Sequence, residues 1–117
     1  MRRVKFFAIA AIAALLSTPT IADSEYDAYA MMVGLTAYPS ICKKSVPEKE
    51  LSKAMKTEAK RLGFDVANAD NATLIVLSAA KLIETSFELQ KTDPAKVTRY
   101  CAEAKKMIAG LLASHER

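Results

Sequence analysis

Residues 72–89 read ATLIVLSAAKLIETSFEL, and the class of the fold turns on the period of that run. Ser78, Lys81, Thr85 and Glu88 recur at intervals of three and four, which is the spacing of one helix face. Leu74, Ile75, Val76, Leu77, Ala79, Ala80, Leu82, Ile83, Phe87 and Leu89 occupy most of the rest. The spacing predicts a helix over about 72–91, opened by Asp70 or Asn71, with a narrow polar stripe. It reads as a core helix of a bundle.

On the N-terminal side, Ser45-Val46-Pro47-Glu48 is a start signal in which Ser45 caps and Glu48 completes a capping box. The helix it opens runs to about Leu62 and stops at Gly63, which suits a left-handed position just past the helix end. Its inward stripe is Leu51, Ala54, Met55, Ala59 and Leu62. Its outward stripe is Lys49, Lys53, Lys56 and Lys60, with no acid four residues on to offset any of them.

On the C-terminal side, Thr92-Asp93-Pro94 places a cap before proline at the first helical position. The helix that follows carries Val97, Tyr100, Cys101, Ala104, Met107, Ile108, Leu111 and Leu112 on one side and ends near His115. Residues 23 to about 43 form the remaining helix, apolar at nearly every position from Ala28 to Tyr38 and so buried on most sides. Pro39 should kink or restart it. No alternation of strand type competes, and the expectation is an all-α antiparallel four-helix bundle.

The chain opens MRRVKFFAIAAIAALLSTPTIAD. Arg2, Arg3 and Lys5 precede an apolar run from Phe6 to Leu16, then Ser-Thr-Pro and small residues before Asp23. That is the pattern of a secretory signal cleaved after Ala22. The run falls short of the roughly 20 apolar residues a membrane span needs, so no stable membrane anchor is expected after cleavage. The expected division is a signal at 1–22 and a single helical domain at 23–117, delivered to the bacterial periplasm or secreted. Three of the 17 Lys and Arg lie in residues 1–22, and none of the 13 Asp and Glu do, which leaves residues 23–117 at a formal +1. That is too weak a basic footprint for a nucleic-acid role.

Ile41-Cys42-Lys43-Lys44 sets a thiol beside two ammonium groups. A reactive thiolate is one reading, but the chain has no Cys-x-x-Cys. In an oxidising compartment two cysteines in a short chain read first as a disulfide. In an up-down-up-down bundle the first and fourth helices are neighbours, so a Cys42–Cys101 bridge needs no distortion. Closing that loop is worth roughly 4 kcal/mol on the chain-entropy model.

Met31 or Met32 near the start of residues 23–117 and His115 near the end are spaced in a way that resembles the small periplasmic four-helix b-type cytochromes. The resemblance implies a haem held by Met31 and His115 between the first and fourth helices. The two cysteines depart from that family's pattern, and core packing accounts for the methionines, so the expectation is a chain without a cofactor. There is no nucleophile elbow, metal-ligand cluster or glycine-rich phosphate loop. Glu84 and Glu88 share a face but read as solvent-facing, so no catalytic set can be assembled and an enzyme is not expected. Asn71-Ala72-Thr73 matches a glycosylation acceptor, with Asn71 needed instead as a helix cap.

A small chain with a signal, one disulfide and no catalytic set is similar in build to periplasmic immunity proteins that guard against cell-wall amidases. That similarity implies a non-catalytic protein-binding factor, an inhibitor or immunity-type protein acting on a periplasmic enzyme. Its docking faces would be Lys49, Lys53, Lys56 and Lys60 and the Cys42–Glu48 loop. Size and disulfide use also resemble the acid-activated periplasmic chaperones, which implies a stress chaperone as the alternative. The apolar excess of the first and third helices would be covered by a client or by a homodimer interface.

Overall fold

The computed structural model of the chain describes residues 23–115. The expected signal at 1–22 lies outside the described residues. Among the described residues the chain is all helical: α1 Asp23–Cys42, α2 Glu48–Arg61, α3 Ala69–Thr92 and α4 Pro94–His115, with no strand.

The core is built around α1. Ala28, Ala30, Val33 and Ala37 are fully buried, and Tyr29, Met31, Leu35, Tyr38 and Ile41 are nearly so. Small residues at 28, 30, 34 and 37 let neighbouring helices approach closely, and a helix apolar on every side must be covered on every side. Accordingly α1 packs against α2, α3 and α4. Pro39 sits inside the helix, which continues without interruption to Cys42 rather than restarting. Lys43 then closes it in the left-handed conformation, φ 57°, a position more usual for glycine.

α2 ends as its sequence predicts. Gly63 adopts φ 88°, its N–H bonds the carbonyl of Lys60, and the N–H of Phe64 reaches back to Ala59 at 2.9 Å. This is a Schellman ending, and Phe64 and Ala59, the positions whose apolar contact accompanies such endings, are both buried. The start differs from expectation. The residue before the helix is Pro47, which offers no side-chain cap. Its carbonyl accepts the first bond, from Leu51. Ser45 lies too early by two residues to cap a helix opening at Glu48, so the capping box does not form.

The link from α2 to α3 is pinned by side chains. Asn68, not Asp70 or Asn71, caps α3, its Oδ1 accepting from the Asn71 N–H at 3.1 Å. Asn71 instead donates its amide to the Asp65 carbonyl at 2.8 Å. α4 opens at Pro94 as expected, one residue after α3 closes. It buries Val97, Tyr100, Ala104, Met107, Ile108 and Leu111. The Tyr100 hydroxyl donates to the Gly34 carbonyl of α1. The Sγ atoms of Cys42 and Cys101 lie 2.03 Å apart, a disulfide between the last residue of α1 and the second turn of α4.

The neighbour relations depart from a simple serial bundle. α1 and α4 touch, as the disulfide requires, but α2 and α3 do not pack on one another. They flank the α1–α4 pair on opposite sides, because α1 needs cover on both.

Candidate functional site

Two surfaces stand out on the opposite flanks. On α2, burial of Leu51, Ala54, Met55 and Ala59 turns Lys49, Lys53, Lys56 and Lys60 into solvent, and all four are exposed. None of them forms an ion pair among the described residues, whereas Arg61 on the same helix is held by Glu58 through two bonds, at 2.6 and 3.0 Å. Those hydrogen bonds hold the Arg61 guanidinium above its ordinary value. The lysine face runs into a cleft of about 440 Å³ between the end of α2 and the following link. Lys56 and Lys60 stand on one wall and Phe64, Asp65 and Val66 on the other.

Two further clefts border the Cys42–Glu48 loop. One, about 310 Å³, is lined by Tyr38, Val46, Ile108 and Leu112 with Lys44 and Lys105 also in its wall. The other, about 410 Å³, lies between α1 and α2 and is walled by Met32, Leu35, Pro39, Leu51 and Met55, with Thr36, Glu48 and Ser52 as its polar groups. The loop named from the sequence is therefore cleft-forming, while the lysine face is a ridge beside a cleft.

The surface on α3 is one that sequence reasoning placed inside. Only Ile75, Ala79, Leu82 and Ser86 of this helix are buried. Val76 and Leu77 are each 64% exposed, Phe87 60% and Leu74 38%. Isolated apolar residues on a surface are ordinary, but a group along one helix marks a site of interaction. The helix is rotated from its expected setting: Ser78 and Thr85, read as outward, are half-buried. The Ser78 hydroxyl bonds the Tyr29 hydroxyl at 2.6 Å, and buried Ser86 donates to the Ile83 carbonyl. The available signal was the set of small hydroxyl residues, which can sit against another helix once their own bond is made.

The remaining candidates are not brought together. Met31 is in the core, His115 is exposed at the last turn of α4, and neither lines the three clefts described here. Glu84 and Glu88 are exposed, and Glu84 pairs with Lys81 at 3.6 Å. Among the described residues no group of three His, Cys, Asp or Glu could hold a metal ion. No described helix is long and apolar enough to cross a membrane. No protein-family model, curated protein or solved structure matches the chain, so a functional argument rests on these surfaces.

Proposed function

We propose that the chain is a small secreted, non-catalytic protein-binding factor, an inhibitor or immunity-type protein that docks on an acidic surface of a periplasmic enzyme. The observation that carries this reading is the face of α2. Four ammonium groups stand in solvent on one ridge with no carboxylate partner among the described residues, at a mildly unfavourable spacing that an acidic partner would relieve. The short links of five, seven and one residue between helices fit an antiparallel bundle with this ridge on its outside. The test is capture from periplasmic extract by the oxidised protein and by a variant with Lys49, Lys53, Lys56 and Lys60 all changed to Glu. The reading expects a partner that the reversed protein no longer retains and that high salt releases. Equal capture by both proteins removes the lysine ridge from consideration.

The second reading, a periplasmic stress chaperone, is favoured by the exposed apolar residues of α3. Ser86 is the one buried polar or charged residue among those described, so acid would act on surface carboxylates rather than on a buried one. Failure to keep an aggregating client soluble below about pH 4, where most carboxylates are protonated, would end this reading.

A further inference from the structure

We propose that the cleft between α1, α4 and the Cys42–Glu48 loop binds a medium-chain alkanoate, a single carboxylate on an apolar tail. On α4, Lys105, Ile108, Ala109 and Leu112 fall three, four and seven residues apart from the first, which is one helix face. Ala109 is exposed in the middle of that face, and its methyl leaves a hollow that a larger side chain would fill. Tyr38, near the end of α1, and Val46, from the loop, complete the apolar walls. Lys44 of the loop lines the cleft as Lys105 does.

Charge selects the head group. Of the three clefts described, this one is lined by two cations and no carboxylate. The cleft between α1 and α2 has Glu48 and no cation, and the one at the end of α2 sets Asp65 opposite Lys56 and Lys60. Lys44 and Lys105 come from different elements, are exposed, and form no ion pair among the described residues. No Asp or Glu lies three or four residues from Lys105 along α4 to offset it. Glu48, the acid closest in sequence to Lys44, lines the neighbouring cleft instead. A lysine rests its carbon stem on apolar surface and keeps its ammonium in water at the edge. Two such ammoniums beside an apolar floor are complementary to an anionic head on an apolar tail. The Ser45 hydroxyl, also in the wall, can donate to the same head.

Volume selects the tail. At about 310 Å³ the cleft lies at the lower end of small-molecule pockets. Taking roughly 30 Å³ per non-hydrogen atom, the share of a water in the liquid, it holds about ten such atoms. An alkanoate of about eight carbons has that size. A protein partner would need about 800 Å² of surface on each side, so a hollow for ten atoms favours a small ligand. The cleft shares no lining residue with the ridge of Lys49, Lys53, Lys56 and Lys60. The inference therefore stands apart from the partner role proposed for that ridge.

Titration of the oxidised protein with submicellar sodium octanoate, followed by methyl NMR, tests the proposal. The methyls of Val46, Ile108, Ala109 and Leu112 should shift saturably, with a dissociation constant on the order of 1 mM for a ligand of this size. Octanol, which has the tail without the charge, should bind about tenfold more weakly. Changing Lys44→Gln and Lys105→Gln together should weaken octanoate by about the same factor and leave octanol unaffected. Both lysines are exposed, so the melting temperature of that variant should not move. Ala109→Trp should fill the hollow and abolish binding of both compounds. Absence of a saturable shift by about 20 mM octanoate would overturn the proposal. So would equal binding of octanoate and octanol, undiminished octanoate binding by the glutamine variant, or equal shifts at exposed Val76 and Leu77 of α3. Tighter binding of acetyl-glycyl-phenylalanine, through its free carboxylate, would overturn it in favour of a peptide C-terminus.

Discussion

α1 and α3 carry comparable runs of apolar residues, yet one is buried at most positions from Ala28 to Tyr38 and the other along a single stripe. Val33 is fully buried and Val76 is 64% exposed; Leu35 is 2% exposed and Leu77 64%. Composition is therefore a statement about how much apolar surface a helix has, and neighbours decide how much of it is removed from water. α1 has three neighbours and α3 has two. Among the described residues no fifth element lies across the far side of α3.

If that contrast is right, what holds α1 inside matters most. The Cys42–Cys101 bridge ties α1 to α4 and closes a loop with a sequence separation of 59 residues. Replacing both cysteines by serine should lower stability by about 4 kcal/mol on the chain-entropy model, read from the urea midpoint. A loss under about 1 kcal/mol would mean that the packing around α1 holds without the clasp. The same truncation made on each helix separates their roles directly. Leu35→Ala should cost about 3 kcal/mol through lost burial and the cavity left behind. Leu77→Ala should change the stability of the monomer by no more than about 0.5 kcal/mol. Equal losses at the two sites would show that α3 is covered after all.

Much of this organisation was legible from local signals. Gly63 announced the end of α2 because only a residue free to take positive φ closes that turn comfortably, and the observed 88° and the two returning N–H bonds are that turn. Pro94 announced α4, and the pairing of Cys42 with Cys101 followed from the expectation of an oxidising compartment and from helix order. The misread features depend on relations between elements. Asn68 was missed as a cap because Asp70 and Asn71 offer the same chemistry two or three residues later, and Asn71 is instead drawn back to Asp65 by the link. The setting of α3 was misread because Ser78 and Thr85 count as polar in a periodicity argument, although both are half-buried and Ser78 satisfies its hydroxyl on Tyr29 within the helix packing. Of the surfaces, the lysine ridge of α2 was readable from spacing alone. The exposed stripe of α3 was not, since nothing in a single helix says how many neighbours it will have.

A smaller effect examines the contact between α1 and α4, one of the sides of cover that α1 has. Tyr100 is 2% exposed and its hydroxyl donates to the Gly34 carbonyl. Burial, with a lesser contribution from Tyr38, holds the phenol well above its ordinary value. The folded protein therefore keeps this proton at a pH where the unfolded chain has lost it. Stability from this group is fully present below about pH 10, the ordinary phenol value, and falls above it by up to about 1.4 kcal/mol per pH unit. Tyr100→Phe removes the hydrogen bond, which should cost about 1 kcal/mol at neutral pH. It also removes the titration, so the variant should lack this part of the alkaline decline. The stability curves of the two proteins should then converge within about one pH unit above pH 10. Chemical denaturation in steps from pH 7 to about 11 reads the difference directly, because every other titrating group is common to both proteins. A difference that stays constant across that range would mean that the Tyr100 hydroxyl meets water in the folded protein, and that α4 covers α1 less completely than its packing implies.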